Sequence, residues 1–307
     1  MDVLLTNSIG GKGIEAGIGC LREQGTVLDA VERSIRVVES DSCIHSVGRG
    51  GWPNVLGDVE LDASIMDGDS LNSGAVGALK GYPHPITVAR RVMLVLPHVL
   101  LVGEGAARFA AEEGMETGDN LTPEARKGWR MWLEEHLCAE DLTRWPHLPL
   151  APLVQLSRDP IESTGTTIVL ARDSAAKLAA GVSTSGWAWK YPGRLGDSPI
   201  IGAGNFVDSR YGAAACTGHG ELTIRAATAR TVVLLLKMGM GLAKACREAA
   251  DELCAMQKDF RYCVTIYALD REGNHHVLSC GSCSQEMYWL WTDAMQHPVQ
   301  RRAEHYG

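Results

Sequence analysis

The sequence predicts an α+β fold in which two β-sheets lie face to face and helices cover the outside. Three observations carry that reading. Apolar residues recur at helical spacing in two blocks before residue 115, two short apolar runs stand back to back just after residue 166, and helical spacing returns from residue 223 before further strands close the chain.

Taken in order, a short apolar strand over residues 3–5 opens the chain. A helix from about Gly13 sets Ile14, Ile18 and Leu21 on one face, and Gly25 ends it. The next begins near Thr26, whose hydroxyl can cap it, and places Leu28, Val31, Ile35 and Val38 at helical spacing, so the pair should pack as one layer. Glycines and Pro53 mark a loop over 48–57. Val59, Leu61, Ala63 and Ile65 then alternate with polar residues as a half-buried strand does, up to a turn at Asp67-Gly68. Residues 86–96 and 104–113 read as helices. From about 116 to 163 the pattern dissolves among charges and Pro123, Pro146, Pro149, Pro152 and Pro160, and only 124–137 reads as helical. So long an irregular stretch has a job or is mobile. Residues 167–171 and 178–182, joined by Arg172-Asp173-Ser174, form a hairpin of buried strands. Helices over 223–238 and 242–256 and strands over 262–269 and 276–279 complete the pattern.

Composition narrows the function. A net charge of −8 and a pI near 5.7 argue against nucleic acid as a partner, and the doublets Arg90-Arg91 and Arg301-Arg302 are isolated. The start of the chain lacks a basic segment followed by a long apolar one, so no signal peptide is expected. The apolar runs near 92–102 and 232–236 fall short of the roughly 20 residues a membrane span needs, so no membrane partner is expected. Nine irregularly spaced cysteines suit a reducing cytoplasm and mostly buried thiols; Cys280 and Cys283 have redox-motif spacing, but in a strand-like setting.

Three segments are rich in glycine, hydroxyl and charged residues where a core strand would carry Val or Ile: 163–167, 183–186 together with 192–199, and 216–221. In the second, Arg194 and Asp197 offer a guanidinium and a carboxylate in a glycine-bent loop, a combination complementary to the carboxylate and ammonium of a free α-amino acid. The alternative is that the two pair with each other on a surface turn. In the third, Thr217 and Gly218 can aim a hydroxyl and a backbone N–H at one point, as an oxyanion hole does, or simply form a turn or helix cap before Leu222. His219 could act as a general base, or be an ordinary surface histidine of a glycine-rich turn. No metal site is expected, because His219, His275 and His276 belong to no set with ligand spacing.

Together these segments resemble the glycosylasparaginase / isoaspartyl peptidase (plant-type L-asparaginase) family of N-terminal-nucleophile (Ntn) hydrolases. The likeness extends over most of the chain: Leu28-Asp29-Ala30-Val31-Glu32, His45-Ser46-Val47-Gly48, residues 60–68, 97–105 and 193–204 are family-like, whereas 115–160 and the C-terminal tail are not. The resemblance implies a four-layer αββα sandwich and a precursor that cleaves itself between Gly165 and Thr166. The product would be an α chain of residues 1–165 and a β chain of 166–307 beginning with the nucleophile. Counting back from Thr184, the family's supporting threonine, reaches Thr166 at the family's spacing, and on a strand Thr166 and Thr167 must face opposite ways.

Carried over position by position, Arg194 would hold the substrate α-carboxylate and Asp197 its α-ammonium. Thr217 and the N–H of Gly218 would hold the oxyanion, Thr184 would hydrogen-bond the nucleophile, and Ser46 would stand nearby in support. The implied substrate is a small asparagine derivative or β-aspartyl peptide, cleaved at the side-chain amide through a β-aspartyl-threonine ester to release aspartate. No cofactor is implied, and a homodimer of processed protomers is. Alternatives are isoaspartyl peptidase or L-asparaginase activity in the same fold, or an unprocessed member acting as a binding protein. Three departures bear on these: Gly165 where glycosylasparaginases carry Asp, Thr167-Ile168 where a small apolar residue and Gly are usual, and Asn7-Ser8-Ile9-Gly10 in place of a substrate-binding Trp-Pro-Phe-Gly turn.

Overall fold

A computed structural model describes residues 1–156, 165–256, 262–283 and 285–306. Ser163 and Thr164 of the first reactive segment, and Pro160, lie outside the described residues. In the first half, strand β1 (Val3–Asn7) leads to helices α1 (Ile14–Arg22) and α2 (Val27–Ser40). Strands β2 (Leu61–Asp67) and β3 (Ser73–Leu79), helix α3 (Pro85–Val95), strand β4 (Leu100–Val102) and helix α4 (Gly103–Glu112) follow. Helices α5 (Pro123–His136), α6 (Ala139–Arg144) and α7 (Ala151–Leu156) close this half. The second half runs β5 (Thr167–Arg172), β6 (Leu178–Thr184), β7 (Asn205–Asp208), β8 (Gly212–Gly218), α8 (Gly220–Ala226), α9 (Thr228–Lys237) and α10 (Leu242–Met256). It ends with β9 (Cys263–Asp270), β10 (His275–Gly281), β11 (Met287–Thr292), β12 (Val299–Arg302) and β13 (Glu304–Tyr306).

The strands form an eight-stranded sheet, ordered β12-β11-β1-β5-β6-β2-β3-β4, and a five-stranded sheet, ordered β13-β10-β9-β8-β7. Strand alternation then decides where each side chain goes. From the large sheet, Leu5, Ile168, Leu170, Ala180 and Val182 meet Val207, Ala213, Ala215, Tyr267 and Leu269 of the small sheet in one core. The opposite parity, Leu4, Ile65, Val169 and Ala179, packs under α1–α4, while Ala214, Cys216, Val264 and Ile266 pack under α8–α10. Gly181 lets α2 approach closely, since a Cβ there would sit 2.5 Å from Val31. The expected α+β class, with two sheets and helices, is therefore present.

Helix α2 starts as expected: the Thr26 hydroxyl accepts the N–H of Asp29, and the Asp29 carboxylate accepts the N–H of Thr26. Other expectations change. Strand β2 is buried on both faces, because Asp62 accepts the N–H of Ala78 at 2.8 Å and Ser64 hydrogen-bonds Ser198 and Asn205. The helix expected over 223–238 is two, broken at Ala227, which has the left-handed φ of 48°. Segment 116–156 is more ordered than its prolines suggested. Leu133 and Leu153 of its helices, with Leu137 just past α5, pack around the buried Val55, and the Trp129 indole N–H donates to the carbonyl of Val55 at 3.0 Å.

Strands β3, β4, β7, β8, β11, β12 and β13 differ from the sequence expectation, which placed no strand there. The sequence of β8 is dominated by alanine, a helix former by local propensity, and sheet pairing on both sides overrides it. The cysteines also differ from expectation: Cys283 is disulfide-bonded to Cys263, with a Cα–Cα distance of 5.2 Å, and does not pair with Cys280. Of the seven free thiols, Cys20, Cys216, Cys246 and Cys280 are buried, while Cys43 and Cys138 are exposed. Among the described residues, no helix is long and apolar enough to cross a membrane.

Candidate active site

Strand β5 begins at the seam between the sheets. Thr166 shares the parity of Ile168 and Leu170, so it faces the small sheet, whereas Thr167 shares that of Val169 and turns toward the helices. On β8, Thr217 likewise shares the parity of Ala213 and Ala215 and faces back. Where the apolar packing ends, a cavity of about 430 Å³ opens, lined by Thr166, Gly165, Thr217, Gly218, Asn7 and Tyr267 among others. The same sheet pairing that builds the core thus brings the candidate nucleophile and candidate oxyanion donors to one cavity.

The carbonyls of Gly165 and Thr166, on either side of the candidate nucleophile, are each held by a side chain. The Thr184 hydroxyl donates to the carbonyl of Gly165 at 2.7 Å and accepts the N–H of Gly186 at 2.9 Å. The Asn7 side-chain amide donates to the carbonyl of Thr166 at 2.5 Å, while its oxygen accepts the N–H of Ile168. Ser46 packs against Gly165 so closely that a Cβ on that glycine would lie 2.2 Å from the Ser46 hydroxyl oxygen. Gly218 is equally constrained, with a φ of 107° and with a Cβ position 2.0 Å from the carbonyl oxygen of Cys263. Only glycine satisfies both conditions.

Arg194 and Asp197 do not line this cavity, and they do not pair with each other as a surface turn would have them do. The Arg194 guanidinium donates through Nε and Nη2 to Glu221 at 2.9 and 2.7 Å and stacks over the Trp187 ring at 4.5 Å. It also abuts Gly186, where a Cβ would come within 3.3 Å of Nη1. Gly186 thus touches both Arg194 and, through its N–H, the Thr184 hydroxyl. Asp197 is buried and accepts the Thr223 hydroxyl at 2.7 Å; burial pushes its carboxyl up to about 6, against the lowering effects of Thr223 and Arg194. His219 is not a surface residue: it is buried, packs on Trp187 at 5.0 Å, and burial lowers its imidazole below the usual range. It does not line the cavity that holds Thr166.

Beneath the Arg194 loop lies a support with no local sequence signal. Lys190 is buried, donates to the carbonyl of Glu60 at 3.1 Å and faces Asp62 at 3.8 Å, and burial lowers its ammonium despite both acids. The Glu60 carboxylate in turn accepts the N–H of Gly193. Sequence reasoning also missed Asn7, Tyr267 and Glu286 in the cavity wall, each delivered by a strand or segment distant in sequence. Tyr267 interacts with the side chain of Thr217, and Glu286 is half-buried with its carboxyl raised by desolvation.

The chain is similar to known proteins over most of its length. A family model described as Asparaginase matches residues 11–299. The N(4)-(β-N-acetylglucosaminyl)-L-asparaginase of Elizabethkingia miricola is 42% identical over 76% of this chain, which spans 63% of that relative's length. The plant-type L-asparaginase of Pyrococcus abyssi is 40% identical over 82% of this chain and 79% of its own. The isoaspartyl peptidase of Salmonella typhimurium is 35% identical over 93% of this chain and 87% of its own. A match running from residue 11 to residue 299, with relatives of three named activities aligned across most of the same stretch, shows that the chain belongs to the asparaginase family.

Proposed function

We propose that the chain is an autoprocessed amidohydrolase, an Ntn hydrolase built as a four-layer αββα sandwich. It would cleave the side-chain amide of asparagine or an N4-substituted asparagine and release aspartate. One observation carries the reading: the Gly165 carbonyl sits on the Thr184 hydroxyl at 2.7 Å, beside Thr166 and in the cavity that Thr217 and Gly218 also line. That is the arrangement self-cleavage needs. The Thr166 Oγ attacks the Gly165 carbonyl carbon, Thr184 stabilises the oxygen, the C–N bond breaks, and the nitrogen takes the hydroxyl proton. Water then hydrolyses the resulting ester, leaving a Gly165 carboxylate and a free Thr166 terminus.

In the processed protein, Thr166 supplies both nucleophile and base. Its α-amine, with an ordinary pKa of about 7.7–8.0, is partly neutral near pH 7 and accepts the proton of its own hydroxyl. The oxygen attacks the substrate amide carbon, and the negative charge that develops falls to the Thr217 hydroxyl and the Gly218 N–H. The leaving amine departs with the proton held by the α-amine, and water releases aspartate from the ester. Arg194 and Asp197 would fix the substrate's carboxylate and ammonium, with Glu221 yielding the guanidinium as substrate enters.

Gly165 and the Asn7-Ser8-Ile9-Gly10 stretch favour a second reading of the leaving group, an isoaspartyl peptidase or L-asparaginase preference. The Ser46 contact leaves no room for the Asp that glycosylasparaginases carry at Gly165. A homodimer of processed protomers fits the exposed apolar residues Leu94, Val95, Val99, Leu100 and Val102 at the β4 edge of the large sheet. The seven free thiols fit a cytoplasmic setting, whereas the Cys263–Cys283 bond is of the kind that persists in an oxidising one.

The test is intact mass spectrometry beside a Thr166→Ala variant. Wild type should resolve into two chains divided at 165/166 and release aspartate from glycosylasparagine, a β-aspartyl dipeptide or asparagine. Thr166→Ala should remain one chain of about the 33.1 kDa of the sequence and release none. A wild type that stays whole and inactive toward all three substrates would leave a binding protein as the reading.

A further inference from the structure

The disulfide lies in the wall of the catalytic cavity. Cys263 and Cys283 both line it together with Thr166, Thr217 and Glu286. Cys263 is half-buried, its carbonyl accepts the N–H of His219 at 2.8 Å, and its backbone presses against Gly218. Cys283 follows β10, where its carbonyl accepts the Ser279 hydroxyl at 2.8 Å. The Glu286 carboxylate completes the group: one oxygen and the two sulfurs all lie within 4.8 Å of one another. Two thiolates and a carboxylate at that separation are the donor set of a three-ligand zinc centre, with Zn–S bonds of about 2.3 Å and a fourth position open to solvent. In the disulfide form the sulfur electrons are tied up and the set is masked.

We propose that reduction of the Cys263–Cys283 bond converts this wall into a site for a thiophilic divalent cation such as Zn²⁺, held by the two sulfurs and Glu286, and that the cation blocks the cavity. With a phosphine as reductant, the phosphine gives up two electrons and takes oxygen from water to become the phosphine oxide. The S–S bond breaks, and the two protons of that water end on the sulfurs. Zinc binding then releases both thiol protons to solvent. The ion would sit in the cavity that Thr217 and Gly218 also line, and would exclude the substrate amide. The inhibition arm rests on the amidohydrolase reading, whereas the metal-binding arm does not.

Purified protein is divided in two, one part reduced with a water-soluble phosphine and desalted without oxygen, the other left oxidised, and both are titrated with Zn²⁺ against a chromogenic chelator. Reduced wild type should take up about one equivalent more than the oxidised form. Glu286→Gln, reduced in the same way, should weaken that uptake by at least the roughly 10–100-fold that loss of even an outer partner costs. Cys263→Ser should abolish it and so subtract binding by the other thiols. Thermal melts of each form confirm folding, and the oxidised wild type needs no substitution at all. Aspartate release should fall roughly tenfold or more when zinc is added to the reduced protein, and should not change in the oxidised one. Equal zinc uptake by oxidised and reduced wild type, or undiminished uptake by reduced Cys263→Ser, overturns the proposal. A protein that binds zinc as expected but releases no aspartate under any condition instead overturns the amidohydrolase reading.

Discussion

The Gly165 carbonyl is held by one hydrogen bond from Thr184, and its α-carbon rests on the Ser46 side chain. Any Cβ at residue 165 must push against Ser46, whose Oγ and Cβ would lie 2.2 and 2.3 Å away, and the carbonyl then moves off the Thr184 hydroxyl. Losing such a donor to a developing oxyanion costs roughly 10²–10³ in rate. Gly165→Ala should therefore slow self-cleavage by about that factor, followed as the decay of full-length chain on a denaturing gel. Gly165→Ala combined with Ser46→Gly should recover much of it, since the clash disappears; a single variant that cleaves at the wild-type rate would show that the Thr184 contact is dispensable. At this scale, Thr166, Thr184, Thr217 and Gly218 stand out in the sequence because they lie in segments rich in glycine, hydroxyl and charged residues, and the role expected of each comes from the family resemblance. Asn7 was invisible as a site residue because its contact with Thr166 spans 159 positions, and only the pairing of β1 with β5 creates it.

Loops and helices set the chemistry of the proposed substrate end. Asp197 sits on a loop, but helix α8 fixes it: the Thr223 hydroxyl donates to its carboxylate, and Gly220 packs against it. Burial, the largest influence, raises the carboxyl to about 6. An ammonium ligand requires the carboxylate, so the inhibition constant of the product aspartate should rise about tenfold per pH unit below pH 6 and level off above it. Thr223→Val removes a contact that lowers the pKa and should move that break to higher pH; a break that stays put would discount the contact. Folding stability depends on pH in the opposite sense. Because the folded value lies above the unfolded one, near 3.8, Asp197 contributes stability below about pH 4, and that contribution is lost as pH rises through 6. Long periodic elements such as α2 and the β5–β6 hairpin were legible from local pattern. Strands β3 and β8 were not, because glycine and alanine fill them where α3 and the facing sheet approach too closely for larger side chains.

At the scale of the whole molecule, the proposed self-cleavage at residue 165 would divide the chain without dividing the fold. The large sheet alternates between the two products: β12 and β11 come from the second, β1 from the first, β5 and β6 from the second, and β2, β3 and β4 from the first. Three ladders therefore cross between fragments, β11 to β1, β1 to β5, and β6 to β2, and the last two run four and six residue pairs. The apolar core between the sheets crosses as well, since Val3, Leu5 and Met66 of the first fragment pack among Ile168, Leu170 and Tyr267 of the second. Burying one such side chain contributes on the order of 1.5–3 kcal/mol, and an exposed edge of β1 would leave a row of unpaired backbone groups. The fragments should hence co-elute as one species on size exclusion in native buffer, and resolve as two only under denaturing conditions. Unfolding of the processed protein should follow a single cooperative transition in urea, with near-ultraviolet circular dichroism and fragment separation sharing one midpoint. Free release of the first fragment in native buffer would mean that the ladders crossing β1 do not hold the sheet together once the Gly165–Thr166 bond is gone.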